Sequence, residues 1–246
     1  MLRAAHQSIA PILQRRDSGF RWRGTDVSRI EGLSDAVFGF ALTLLVVSLE
    51  VPKRFVELQA RMHGFVGFAI CFVMLMLIWH TQYIYFRRYA LDDRISFLLN
   101  AALLFVVALY IYPLKFLATT FVNAITGFQE LDAAGQVIVA MRREDWRPLM
   151  LVYSAGFMAL YTIFALLYLH AYRQRDELAL DAMEAYETRS AVWENTLMLS
   201  IGAAGLAFAA VNRPQWAGLS YILIGPAQTL LGSIRGKRRE RLRLAR

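Results

Sequence analysis

The sequence predicts an all-α polytopic membrane protein with six transmembrane helices per subunit. Three observations predict it. The chain has 246 residues, 57% of them hydrophobic, and a mean hydropathy of +0.40, whereas a soluble domain is nearer ~45–50% apolar. The apolar residues are gathered into blocks of roughly 19–28 residues, the length that crosses about 30 Å of hydrocarbon. Lys and Arg are divided unevenly between alternate connections, which is what sets orientation in a bilayer.

Residues 1–28 hold Arg3, Arg15, Arg16, Arg21 and Arg23 and no apolar run of signal-peptide length. They read as a cytoplasmic N-terminal arm, flexible or lying on the surface, and the weak amphipathicity of residues 2–16 leaves an interfacial helix or a transit-peptide-like segment open. The first helix is expected at about 29–49, uncharged from Ala36 to Leu49 and stopped by Glu50-Val51-Pro52. The second runs about 62–86 and closes on Arg87-Arg88. The third runs about 95–122, with Pro113 expected to kink or loosen its far end. Residues 123–148 form a polar connection, with a short surface helix as one option.

The fourth helix spans about 149–171. Residues 173–190 are polar with a weak stripe of Leu178, Ala182, Ala185 and Tyr186, and read as an amphipathic extension of that fourth helix. The fifth, about 192–211, carries Ser200, Gly202, Ala203, Ala204 and Gly205, a small-residue run that permits close helix contact in lipid. The sixth, about 216–234, holds Pro226, and a basic cytoplasmic tail follows over 235–246. The transmembrane domain is therefore 29–234.

Six crossings put both termini on one side. That side carries 19 Lys and Arg against 7 on the other, leaving out Lys115 within the third helix. Both termini are accordingly expected in the cytoplasm, and the protein in the cell (inner) membrane. The net charge of +8 is read first as Lys and Arg that set membrane orientation, and no nucleic-acid partner is expected. The basic tail suits anionic lipid. Cys71, the single cysteine, lies mid-helix as a small packing residue. No GxSxG, HExxH, Walker loop, CxxC or GxGxxG occurs, so no enzyme class is supported. Glu130, Asp132, Glu144 and Asp145 lack metal-ligand spacing, and His6, His63 and His170 are scattered.

The first helix carries the unusual chemistry. Asp35 is a carboxylate at the edge of a hydrocarbon-length segment, where a charge costs up to about 2.5–3.5 kcal/mol at the centre and less toward the ends. At about 100° per residue, Phe40, Thr43, Leu44 and Val47 fall on one stripe, and Asp35 lies roughly 140° from Phe40. Such a stripe ordinarily packs in a core or faces lipid. At about 1.5 Å per residue, Asp35, His80 and Asn100 reach similar depths, each roughly 9–10 Å inward from Arg29, Arg87 and Arg94. Buried polar groups need partners, so a network of Ser34, Asp35, His80 and Asn100 is expected to tie the first helix to the second and third. Other readings exist: His80 as a lone hydrogen-bonded core histidine, Asn100 as structural, Asp35 as an ion ligand, and Arg29 as only marking the interface.

The run Arg29-Ile-Glu-Gly-Leu-Ser-Asp35 resembles the RxxxFSD signature of the transmembrane protein 175 family of potassium channels, in its bacterial branch. Arg29, Ser34 and Asp35 match, and Leu33 replaces the phenylalanine. Ala36 to Val47, Leu99-Asn100-Ala-Ala-Leu-Leu-Phe and Tyr112-Pro113 also look family-like. The resemblance implies a potassium-permeable, modestly selective channel with K+ as permeant ion and no bound cofactor. Its first helix would line a central pore. The signature occurs once, and a single-repeat chain would need four copies, hence a homotetramer.

The resemblance further implies a pore gate at Phe40, Leu44 and Val47, selectivity at Thr43, and Arg29, Ser34, Asp35, His80 and Asn100 as helix-packing polar residues. Phe40 departs from the isoleucine or leucine the family places there. TVGYG is absent, so selectivity would rest on pore width and a partly hydrated ion. Two other classes stay open: a proton or cation transporter titrating Asp35 and His80 in the ion path, and a non-conducting membrane scaffold using residues 173–190 and the tail.

Overall fold

The computed structural model describes residues 16–17, 20–47, 55–127 and 142–244. A short antiparallel pairing of β1 (Arg16–Asp17) with β2 (Phe20–Arg21) comes first. Helices α1 (Arg29–Val47), α2 (Phe55–Tyr89), α3 (Arg94–Thr126), α4 (Trp146–Arg173) and α5 (Ala182–Ala210) follow. The last crossing is divided into α6 (Pro214–Ser220), a 3-10 turn at Tyr221–Leu223, and α7 (Ile224–Leu244). Six segments among the described residues are long and apolar enough to cross a membrane. Their outward faces are apolar, as at Phe105, Leu109 and Ile125, which is where lipid replaces water as the solvent.

The helix starts are chemically specified. Ser28 and Glu31 cap α1 reciprocally: the Glu31 amide donates to Ser28 Oγ at 3.2 Å and the Ser28 amide to Glu31 Oε2 at 2.8 Å. Asp93 caps α3 by accepting from the Ser96 amide at 3.3 Å. That helix runs unbroken through Pro113 and ends at Gly127, whose φ of 68° suits a residue without Cβ. Asp181 and Glu184 form a second capping box at the start of α5.

This second box corrects the expected path of residues 173–190. The amphipathic stretch divides: α4 stops at Arg173, and residues from Ala182 onward begin α5. The Asp181 carboxylate satisfies the amides of Met183 and Glu184 at 2.8 Å each, which starts a new helix there. The basic residues from Arg235 continue α7 as helix to Leu244. The break before α7 precedes Pro226, whose missing N–H and ring disfavour a continuous helix.

In the packing, α1 rests on α2 and α3, α4 lies between α3 and α5, and α6 and α7 are outermost against α5. The main core joins Phe38, Ala41 and Leu45 to Leu75, Leu103 and Phe164, among others. Cys71 is buried within it. Smaller clusters centre on Met150 with Ala209, and on Phe157 with Met198. Small residues set the approach of α5 to α4. A Cβ on Gly202 would lie 2.9 Å from Phe157 and Met158, and one on Gly205 would meet Tyr221 and Ser154 at 3.0–3.1 Å.

The end of the N-terminal arm is a packed strap. Phe20 is fully buried and meets Tyr89 edge-on at 5.5 Å. Arg88 lies 4.8 Å and Arg23 5.7 Å from its ring centre. Arg23 pairs with Glu184 at 2.6 Å, and the amides of Arg23 and Gly24 donate to the Arg87 carbonyl. The surface-lying arm expected over 1–28 thus gives way, from Phe20 to Gly24, to a segment held between the ends of α2 and α5. Residues 1–15 lie outside the described residues.

Candidate functional site: helix α1 and its two faces

Burial divides α1 lengthwise. Ile30, Ser34, Phe38, Ala41 and Leu45 recur at helical spacing and are buried against the subunit. The stripe singled out in the sequence is turned the other way. Phe40 is 62% and Val47 70% exposed, Thr43 is exposed, and Leu44 is half-buried. Thr43 Oγ1 donates to the Gly39 carbonyl at 2.9 Å. That spends its proton within the helix and leaves the oxygen lone pairs as acceptors.

On the buried face, Ser34 Oγ donates to the Ile30 carbonyl at 2.8 Å and accepts from Asn100 Nδ2 at 2.8 Å. Asn100 Oδ1 in turn accepts from Gln82 Nε2 at 3.0 Å. All three side chains are nearly inaccessible, so each bond is made where water offers no substitute. The chain Ser34–Asn100–Gln82 links α1, α3 and α2.

The four-residue network expected from depth takes this different form. His80 is exposed and stacks beside Tyr83 at 6.2 Å. Gln82, two residues on and so about 200° around the helix, occupies the inward position instead. Asp35 is also outside the chain: its carboxylate accepts from Trp79 Nε1 at 2.7 Å on the exposed side of the α1–α2 contact. Asp35 is one residue, about 100°, past Ser34, so both cannot face α3. Arg29 is exposed.

The arginine that engages the start of α1 is Arg87. It lies 3.5 Å from the buried carboxylate of Glu31, donates to the carbonyls of Gly24 and Asp26, and stands 5.4 Å from the Tyr83 ring centre. Sequence reasoning passed over Glu31 and Gln82. The Ser28-x-x-Glu31 spacing was a signal for the first. For the second there was only depth, which Gln82 shares with His80.

One further ion pair borders this end. His170 Nε2 lies 2.8 Å from Asp93 Oδ2, so α4 is tied to the cap of α3. Burial acts to raise the Asp93 carboxyl, but the Ser96 hydrogen bonds and the charge and hydrogen bond of His170 outweigh it and hold the group below the usual carboxylate range. Among the described residues no cluster of three or more His, Cys, Asp or Glu stands ready for a metal ion.

Residues 29–110 match the family model described as the endosomal/lysosomal potassium channel TMEM175. A potassium channel from Marivirga tractuosa is 36% identical over 234 residues, which are 91% of this chain and 93% of that protein. The chain belongs to the TMEM175 family of potassium channels. The crystal structure of the potassium channel MtTMEM175, a threonine-to-alanine variant in complex with a nanobody–MBP fusion protein, matches with a TM-score of 0.77. The match is 34% identical and covers 90% of this chain and 99% of that one. A lysosomal potassium-selective channel TMEM175 homolog from Chamaesiphon minutus shares the fold at a TM-score of 0.54, with 21% identity over 82% of this chain and 96% of that one. TMEM175 relatives are channels, so this member is not an enzyme. The family match covers α1, α2 and the first half of α3, the same segments that the Ser34–Asn100–Gln82 chain joins.

Proposed function

We propose that four copies of this chain assemble around α1 into a potassium-permeable, modestly selective cation channel of the cell membrane, with both termini in the cytoplasm. The observation that carries the reading is the exposed stripe of α1. Phe40, Thr43 and Val47 point away from their own subunit on a helix whose opposite face is anchored by a buried polar chain. In the assembly Phe40, Leu44 and Val47 form apolar rings. Narrow hydrophobic constrictions of this kind gate by dewetting.

Thr43 supplies the polar layer between the rings. Its proton is held by the Gly39 carbonyl, so four hydroxyl oxygens face the axis as acceptors and replace part of the hydration shell of a cation. Ser34, Asn100 and Gln82 hold α1 in register from within the subunit. Asp35 is held by Trp79 on the α1–α2 contact, and Arg29 marks the membrane surface.

The test is ion flux from liposomes containing the purified protein, driven by a potassium gradient and then by an equal sodium gradient. Potassium-driven flux should exceed sodium-driven flux, Phe40→Ala should raise both, and Thr43→Ala should narrow the difference. Unchanged flux in both variants would remove the pore assignment. Total loss on Asp35→Asn with steep pH dependence would favour a transporter, and no flux even from Phe40→Ala would favour a scaffold.

A further inference from the structure

A cleft of about 460 Å³ lies between the start of α5 and the middle of α7, lined by Tyr186, Ser190 and Trp193 on one side and by Leu231 and Ile234 on the other. Its size is within the roughly 300–1,000 Å³ of small-molecule sites. Three arginines, Arg189, Arg235 and Arg238, complete the lining. Among the described residues, only Arg235 of the three has an acidic partner, Glu194. Arg238 lies 5.6 Å from the Tyr186 ring centre, and Arg189 is exposed and makes no ion pair with a described residue. The cleft therefore carries uncompensated positive charge above an apolar floor, and Trp193 at its mouth is 61% exposed.

Its place in the subunit says what meets it. The α5–α7 contact is on the far side of α4 from α1, so it faces outward when α1 faces the axis. It sits at the end of the membrane span where the basic residues of both termini gather. Exposed Trp and Arg side by side mark the depth of lipid headgroups. The sequence before residue 16 carries Arg3 and Arg15 and no acidic residue, so like charge gives it no electrostatic attraction to this cleft.

We propose that this cleft is a binding site for an anionic phospholipid of the leaflet on the terminal side. The phosphate is held by Arg189 and Arg238 as forked, charge-assisted donors, and an acyl chain lies along Trp193, Leu231 and Ile234. The assignment of that leaflet as cytoplasmic rests on the orientation proposed above, but the site does not. Glu194 acts as a positioning residue, holding Arg235 and with it the wall that α7 contributes.

The test uses the full-length protein in nanodiscs with phosphatidylglycerol carrying brominated acyl chains, mixed into phosphatidylcholine. Bromine quenches nearby tryptophan, and the Trp193 component is the difference between the wild type and Trp193→Phe. Brominated phosphatidylglycerol should quench that component at far lower mole fraction than brominated phosphatidylcholine. The double variant Arg189→Gln, Arg238→Gln should need about 25-fold more of it, at roughly fivefold per arginine. Inorganic phosphate should not relieve the quenching.

Equal quenching by both lipids, or an unchanged titration in the double variant, would overturn the assignment by showing an ordinary lipid-facing groove. Relief by inorganic phosphate would reassign the arginines to a free anion. A Trp193 component quenched by neither lipid would mean that a second copy or another segment covers the cleft. None of these readouts requires ion conduction, so they are independent of whether the channel reading stands.

Discussion

Asn100→Leu is the sharpest perturbation the structure offers, because one side chain of the same heavy-atom count and branching ends two buried hydrogen bonds. Asn100 is 2% exposed, donates to Ser34 at 2.8 Å and accepts from Gln82 at 3.0 Å. Ser34 keeps its bond to the Ile30 carbonyl, so its loss is one bond. Gln82, also 2% exposed, keeps a donor with no partner, and an unsatisfied buried group costs about 1–3 kcal/mol. Interhelical hydrogen bonds within membrane bundles average nearer 0.6 kcal/mol, to a maximum of about 1.7. The expected destabilisation is therefore about 2 kcal/mol, at the low end of the summed values.

The decisive term is the coupling between the two amides. Replacing both partners by apolar groups of similar shape is close to neutral, so Gln82→Leu in the Asn100→Leu background should cost less than Gln82→Leu alone, by about 1 kcal/mol. The assay is equilibrium unfolding of the detergent-solubilised protein in mixed micelles with increasing denaturing detergent, followed by tryptophan fluorescence. His80→Ala is the internal control, expected within about 0.5 kcal/mol of wild type for an exposed side chain. Additive effects of the two substitutions, or a His80→Ala loss as large as that of Asn100→Leu, would refute the reasoning.

Three other outcomes follow from the same geometry. Gly156→Ala places a Cβ 1.9 Å from the Tyr110 ring, and overpacking of this kind should destabilise the α3–α4 contact by about 1–3 kcal/mol in the same unfolding assay; an unchanged midpoint would mean that the ring moves freely. Arg23→Ala removes one partner of a buried ion pair, a change worth about 3–5 kcal/mol. Glu184 retains the amides of Arg21 and Asp181, so about 2 kcal/mol is expected, read as faster hydrogen exchange at the Arg23 and Gly24 amides, with no change expected at Asn100. The depressed Asp93 carboxyl contributes stability that is present above the unfolded-state pKa of about 3.9 and is lost as pH falls through the lower folded-state value. The melting difference between wild type and Asp93→Asn should accordingly shrink on acidification below about pH 4, and a widening difference would contradict the His170 pairing.

The two faces of α1 show how much of the site was legible. Spacing alone put Phe40, Thr43 and Val47 on one stripe, and the structure exposes all three, although Asp35, Leu33 and Val46 are exposed as well. Depth, reckoned from the basic residues at helix ends, brought Asp35 and Asn100 to one level, and it is Ser34, the residue beside Asp35, that meets Asn100. It brought His80 to that level as well, and His80 is not among the partners. Nothing local distinguishes the azimuth of His80 from that of Gln82 in the run Trp79-His-Thr-Gln82, because the helix is apolar on every side and has no clear amphipathic phase. The strap is a second instance. Phe20 stands among arginines in a polar arm, and its burial depends on a slot formed by Tyr89 and Arg88 on α2 and by the start of α5.

By itself the sequence determined the crossings, their order, the helix caps and the level of each polar residue along the membrane normal. These follow from hydropathy, from a fixed rise per residue and from short-range hydrogen-bond chemistry, all of which are local. Only the tertiary structure decided which residue at a given level faces inward and that the arm ends as a strap. Rotation about a helix axis and the docking of an irregular segment are settled by contacts between residues far apart in the chain, and in lipid they are settled by shape and hydrogen bonding, because hydrophobicity no longer distinguishes inside from outside.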